Sequence, residues 1–203
     1  SMPEGTVAFG VGSGRCGTTL LSRLADREPA VAASHERLRR AATFHMFCKW
    51  HRIPIDPEGF LRDRDAVVRE DLAARRVSFE VSALLSHSIA ELYSGDDARV
   101  VLLVRRPEHT VASFAARGWF LEPIPWADAT RPPTLPDAME PRHFFGRNLP
   151  RTQAELDRWR ALSQIGKLAW FWNARYRAIV EQIARLPEHR ARIQRIVDLE
   201  HDA

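Results

Sequence analysis

The chemistry legible in this sequence is concentrated in Gly12-Ser13-Gly14-Arg15-Cys16-Gly17-Thr18-Thr19. Glycines let backbone N–H groups close around an anion, and a helix beginning at Thr18 adds unpaired donors and a favourable dipole. Arg15 puts a positive charge inside that loop. Alone, the pattern is also an ordinary strand-to-helix turn. A second cationic position, Arg105, ends the apolar run Arg99-Val100-Val101-Leu102-Leu103-Val104, with Pro107 two residues on and Ser113 eight residues on. Glu36, 21 residues beyond Arg15, is a carboxylate suited to taking a proton from a hydroxyl or amine. Its plainer alternative is an acid stabilising the first turn of a helix. His35 beside it is the second candidate base.

What is absent narrows the ligand. A nucleotide-triphosphatase loop reads GxxxxGK[ST], with the lysine on the phosphates and the hydroxyl on Mg²⁺. Gly12 and Gly17 keep that spacing, but Thr18 stands where the lysine belongs. The run 99–104 leads into Arg105-Arg106-Pro107 rather than an acidic metal ligand. The site offers positive charge without a metal carboxylate, which suits phosphates bound by the protein directly. A divergent P-loop kinase survives only as a reading of the loop by itself.

These residues resemble the sulfotransferases that use 3′-phosphoadenosine 5′-phosphosulfate (PAPS). The likeness is to the tyrosylprotein, carbohydrate and bacterial types more than to the cytosolic aryl type. Residues 12–20 look like the family's 5′-phosphosulfate loop, and Arg105, Pro107 and Ser113 match its 3′-phosphate signature. The resemblance implies that Ser13, Gly14, Arg15, Cys16, Gly17, Thr18, Thr19, Arg105 and Ser113 bind PAPS and its product PAP, without metal. It implies catalytic roles for Arg15, at the leaving group, and for Glu36, because several relatives carry a glutamate about twenty residues beyond the loop cation. The implied reaction moves a sulfuryl group to a hydroxyl or amine of a small-molecule, carbohydrate or lipid acceptor. Glu80-Val81-Ser82 departs from the family pattern, which has a lysine where Val81 stands. That departure keeps open a relative that binds the 3′-phosphonucleotide without transferring sulfate. Glu80 itself is a weaker candidate base, its alternative being an acid that anchors the neighbouring loop.

The elements that must position these residues follow from patterning. Val7–Val11, Val77–Val81 and 99–104 are short apolar runs that read as buried strands, and Thr18 to about Arg27 reads as a helix. Ala30–Ser34 reads as a short extended piece, followed by helices over 36–51 and 58–75, separated by prolines at 54 and 57. Phe44, Phe47, Cys48 and Trp50 form an aromatic-rich face read as core or lid packing. A helix is expected around Leu84–Tyr93 and another over 107–117, with Pro107 in its first turn. Residues 118–151 are proline-rich and aperiodic, yet carry Trp119, Phe120, Trp126, Phe144 and Phe145, so they read as a lid or acceptor loop. Thr152-x-x-Glu155 is a capping box opening one long helix whose stripe runs from Leu156 and Trp159 through Leu162 and Ile165 to Ile183. Ile193–Glu200 reads as a last strand.

The expected fold is an α/β three-layer sandwich with a mostly parallel sheet and a P-loop-like phosphate site at strand carboxyl ends. With 203 residues and 45% apolar content, residues 1–203 are read as one domain. The resemblance implies that a C-terminal part covering the adenine is missing. The net charge of +4 is carried almost wholly by arginine, the better partner for phosphate and sulfate geometry. No basic run interleaved with aromatics points to nucleic acid. Two cysteines, Cys16 and Cys48, make neither a disulfide framework nor a metal spacing, and no run of 18 apolar residues suggests a membrane span, so a cytoplasmic location is expected.

Overall fold

The computed structural model describes residues 3–96, 98–124 and 126–200. Residues 1–2 and 201–203 of the expected 1–203 span lie outside the described residues. In chain order the elements are β1 (Thr6–Val11), α1 (Thr18–Ala25), β2 (Val31–His35), α2 (Arg39–His51), α3 (Pro57–Ala74), β3 (Val77–Val81), α4 (Ile89–Asp96), β4 (Arg99–Val104), α5 (Pro107–Ala115), α6 (Pro141–Phe145), α7 (Gln153–Arg160), α8 (Gln164–Ile183), β5 (Ala191–Arg195) and α9 (Ile196–Glu200). Single 3₁₀ turns occupy Ala83–Leu85 and Glu188–Arg190. The sheet has five strands in the order β2-β3-β1-β4-β5, all pairs parallel. Both neighbours of β1 come later in the chain than β2, so the chain reverses direction across the sheet at β1. Such a switch point opens a crevice at the strands' carboxyl ends.

Strand alternation sorts the core into layers. Val7, Phe9 and Val11 of β1 and Val100 and Leu102 of β4 pack with Val68 and Leu72 of α3, Ile89 and Leu92 of α4 and Tyr176 and Ile179 of α8. The opposite face, with Phe79, Val81 and Leu103, is covered by Leu21 and Ala25 of α1 and Leu199 of α9. A further core stands beside the sheet. There Phe47 of α2, Phe114 of α5, Leu156 and Trp159 of α7 and Phe171 of α8 enclose Phe120, Ala129, Met139, Phe144 and Leu149. The proline-rich stretch is therefore anchored chain with its own apolar interior. Trp50 Nε1 donates to the Leu149 carbonyl at 2.7 Å, and Gln164 Nε2 donates to the Trp119 carbonyl at 2.9 Å. The aromatic face of α2 belongs to this packing: Phe47, Cys48 and Trp50 are buried, while Phe44 is half exposed.

Several sequence expectations are corrected. The long helix after Thr152 is two helices. Thr152 caps α7 as expected, accepting from the Glu155 N–H at 3.2 Å, but Ser163 starts a new helix by accepting from the Gly166 N–H at 3.2 Å. The stripe serves two cores, Leu156 and Trp159 one and Tyr176 and Ile179 the other, and Leu162 and Ile165 at the break are exposed. The last strand stops at Arg195, whose guanidinium pairs with Asp198 at 3.0 Å in the first turn of α9. The helix expected from Leu84 begins only at Ile89, because Ser82 accepts from the Leu84 N–H and tightens the preceding turn.

On its α3 side, β3 carries polar groups that are buried and paired. Ser78 Oγ donates to Asp71 at 2.7 Å, and Glu80 forms an ion pair with Arg64, both nearly inaccessible. Three histidines on this flank are also buried or partly buried. His45 stacks on Phe60 at 3.9 Å, His87 stacks on Trp50 at 5.2 Å and accepts from Asn148 Nδ2 at 2.9 Å, and His51 lies beside Phe47 at 4.5 Å. Burial holds all three below the ordinary histidine value, His51 at about 4. Below about pH 6.5 the unfolded chain therefore binds protons that the folded chain refuses. Folding stability should fall as pH drops below 6.5, for His51 down to about 4, by up to ~1.4 kcal/mol per pH unit for that ring. Urea midpoints at pH 7.0, 6.0 and 5.0 should decrease in that order; a flat series would show that these rings are protonated in the folded protein.

Candidate active site

The loop after β1 is shaped by backbone conformations that few residues adopt. Gly14 has φ 81°, Arg15 φ 53° and Gly17 φ 96°. A left-handed arginine costs about 1 kcal/mol or more, so surrounding contacts must impose it. Several do. Ser86 Oγ donates to the Gly12 carbonyl at 2.8 Å, the Ser82 N–H donates to the Gly10 carbonyl at 2.7 Å, and Arg105 Nη1 donates to the Arg15 carbonyl at 3.1 Å. Close packing finishes the clamp: a Cβ at Gly12 would lie 2.5 Å from Cys16 Sγ, and one at Gly17 would lie 2.0 Å from Ile196 Cδ1 of α9.

This geometry presents donors outward. Gly17 occupies the cap position of α1 and no side chain caps that helix. The N–H groups of residues 15–20 have no backbone acceptor among the described residues. Arg15 Nε donates to Ser113 Oγ at 3.0 Å, across 98 residues of sequence. Burial, then Arg117 and Arg105, pull the Arg15 guanidinium below its ordinary value. None of Arg15, Arg105 and Arg117 has a carboxylate within ion-pair distance among the described residues. Clustered cations beside an uncapped helix end form an anion site by ordinary electrostatics. Arg105 and Ser113 both touch the loop at Arg15, but neither lines the cavity that Arg15 and Arg117 line.

The other loop residues split between lining and support. Thr18 and Thr19 line the cavity, with Thr18 Oγ1 3.0 Å from His35 Nε2. Ser13 Oγ donates to the Gly14 carbonyl at 2.8 Å, so that hydroxyl stabilises the turn. The Cys16 side chain points inward, packed with Phe79, Val81 and Leu103, and burial pushes its thiol up. Arg106 pairs with Glu108 at 2.6 Å and is not a cavity residue, whereas Arg117 is.

Glu36 does not open a helix. It follows β2 in a left-handed bend, φ 51°, and α2 starts only at Arg39 after Leu38, also left-handed. Buried chemistry beneath the bend explains it. Glu80 accepts from the Arg37 N–H at 2.8 Å, the Glu36 N–H donates to the Val81 carbonyl at 3.2 Å, and Arg37 pairs with Asp71 at 2.9 Å. Glu80 is thus the anchor of the loop rather than a cavity group. Its own charge is matched by Arg64, which burial lowers to about 10. The Glu36 carboxylate sits 3.4 Å from Arg39 Nε and lines a cavity of about 410 Å³ together with Gly14, Arg15, Thr18 and His35. Burial lowers the His35 pKa, with Arg39 adding to the effect against Glu36, so the ring is neutral at pH 7.

Sequence reading missed Arg175. It lies mid-helix in α8 and is 1% exposed. Its Nε donates to Asn148 Oδ1 at 2.5 Å, its Nη1 to the Ala83 carbonyl at 3.3 Å and its Nη2 to the Gly146 carbonyl at 2.9 Å. It joins the turn after β3 to the 118–151 stretch and lines the same cavity as Arg15 and Glu36. Position Val81 is fully buried against Gly10 and brings no charge. Arg175 is thus a cation beside the turn that follows Val81.

The backbone matches solved structures, among them two sulfotransferase domains. One is the sulfotransferase domain from the Synechococcus PCC 7002 olefin synthase, with a TM-score of 0.52 and 14% identity over 100% of this chain and 70% of that chain. The other is the sulfotransferase domain from the curacin biosynthetic pathway, with a TM-score of 0.52 and 15% identity over 98% of this chain and 69% of that chain. No protein-family model and no curated protein matches the sequence. The fold is therefore that of sulfotransferase domains, an all-parallel five-stranded sheet flanked by helices. No described helix is long and apolar enough to cross a membrane. Because Gly17 combines a positive φ with contact to Ile196, Gly17→Ala should cost about 1–3 kcal/mol of stability. Chemical denaturation checks this; a variant as stable as the parent would mean the loop is free to rearrange.

Proposed function

We propose that this protein is a PAPS-dependent sulfotransferase. The observation that carries the reading is the meeting of two distant motifs: Arg15 Nε with Ser113 Oγ at 3.0 Å, and Arg105 Nη1 with the Arg15 carbonyl at 3.1 Å. The fold shared with sulfotransferase domains supports it. When bound, PAPS supplies the sulfuryl group and takes back the electron pair of its breaking S–O bond as PAP leaves.

The chain's residues do the rest. Arg15 and the N–H groups from Arg15 to Leu20 hold the 5′ end and stabilise charge that grows on the departing oxygen. Arg105 and Ser113 hold the 3′-phosphate. The Glu36 carboxylate accepts the proton of the acceptor hydroxyl or amine, and Arg39 fixes its orientation. His35, neutral and bonded to Thr18, orients the loop's first helical hydroxyl. Arg175 adds a positive potential beside the turn after β3, in place of a lysine at Val81.

A second reading has its own observation. Val81 is buried without charge, which fits a relative that holds a 3′-phosphonucleotide and transfers nothing. Glu36→Gln, Arg15→Ala and Arg105→Ala separate the two. Each arginine variant should weaken PAP binding about 10- to 100-fold, as expected for a lost charge-assisted hydrogen bond. Glu36→Gln should leave PAP binding intact and lower turnover about 10²- to 10⁴-fold, the usual contribution of a general base. Turnover retained in Glu36→Gln would remove Glu36 as base; PAP binding with no turnover by the parent across hydroxyl and amine acceptors would favour the second reading.

A further inference from the structure

The 118–151 stretch and Arg117 line a second, open cavity, of about 340 Å³, that shares Arg117, Trp119 and His143 with the cavity of the candidate active site. Its walls include Arg147, which is 6% exposed. The Arg147 guanidinium lies 5.0 Å from the Trp119 ring centroid and 4.9 Å from that of Phe120. Its Nε and Nη1 are buried and reach no acceptor among the described residues. No carboxylate lies within ion-pair distance of it among the described residues. Burial lowers it to about 10, so the charge persists at neutral pH.

An unpaired buried charge is costly, and aromatic faces return only part of that cost. Arg175, also buried, is satisfied by three oxygen acceptors. Arg147 is not. The two carboxylates in the cavity wall do not meet it. Glu140 is held by Arg142 at 2.8 Å and lies 3.8 Å from His143, while Glu122 is exposed and acts on Arg147 only at longer range. The charges assigned to the phosphonucleotide, Arg15 and Arg105, are not part of this wall.

We propose that this chamber binds an anionic group, carboxylate or phosphate, carried by the acceptor, with Arg147 as its counter-charge. The inference rests on the sulfuryl-transfer reading for the word acceptor. The chamber's place follows: an acceptor with its reacting hydroxyl near Glu36 and an anionic tail passing Arg117, Trp119 and His143 reaches Arg147. The class of molecule is a hydroxylated acid, or a hydroxylated phosphate ester.

Calorimetry tests this with three six-carbon probes: 6-hydroxyhexanoate, 6-hydroxyhexyl phosphate and uncharged 1,6-hexanediol. PAP is titrated first, and the probes are then titrated into PAP-saturated protein. At least one anion should bind tenfold or more tighter than the diol, and the comparison of the two anions identifies the group. Arg147→Met should abolish the difference, and Arg147→Lys should restore part of it. Equal binding of all three probes, or a preference undiminished in Arg147→Met, would overturn the assignment. Should Arg147→Met fail to fold, the discrimination between anion and diol by the parent and by Arg147→Lys decides. If PAP itself does not bind, the probes are titrated into the free protein. An anion preference that depends on Arg147 then sustains the chamber while the sulfuryl-transfer reading fails, and equal binding overturns both.

Discussion

Positive charge that the described part of the chain does not neutralise is the constraint on which the site depends. Arg15, Arg105 and Arg117 stand close enough for Arg117 and Arg105 to depress the Arg15 guanidinium, beside a helix that no side chain caps. Holding like charges together costs free energy, and the surrounding structure supplies what keeps them there. Ser86 fixes Gly12, Arg105 fixes the Arg15 carbonyl, and Ile196 of α9 closes over Gly17. An anion at this place would turn the repulsion into attraction.

A second buried network holds the bend at Glu36 and the 118–151 stretch in place. Glu80, paired with Arg64, holds the Arg37 N–H and thereby the bend that carries Glu36. Arg175 holds Gly146 and Asn148 from the 118–151 stretch against Ala83 in the turn after β3. Asn148 continues to His87, and His87 to Trp50, so the stretch is tied to α2 as well. The consequence is a wall of fixed geometry facing the phosphate loop.

Much of this was legible in the sequence, and the failures have physical causes. The strands β1, β3 and β4 were readable because short apolar runs bounded by glycine or charge leave few alternatives, and spacing singled out Arg15, Arg105 and Ser113, which the fold brings into contact. The conformation of Glu36 was not. His35-Glu36-Arg37 carries no turn residue, and the left-handed bend is imposed by Glu80 and Asp71, which are more than thirty residues away. Arg175 and Arg147 were invisible for a related reason: an arginine in a helix or a polar loop reads as a solvated charge, and only tertiary packing reveals it as buried. The break at Ser163 was obscured because Leu162 and Ile165 happen to continue an apolar stripe that the structure leaves exposed.

The central claim is that the loop at Arg15 and the pair Arg105–Ser113 read two phosphate groups of one ligand. Calorimetric titration of the unmodified protein with PAP and with AMP tests it most directly, since the two differ only in the 3′-phosphate. PAP should bind at least tenfold tighter than AMP, a difference of about 1.4 kcal/mol or more. Equal affinities would contradict the claim, because they would mean that Arg105 and Ser113 contact nothing that PAP has and AMP lacks.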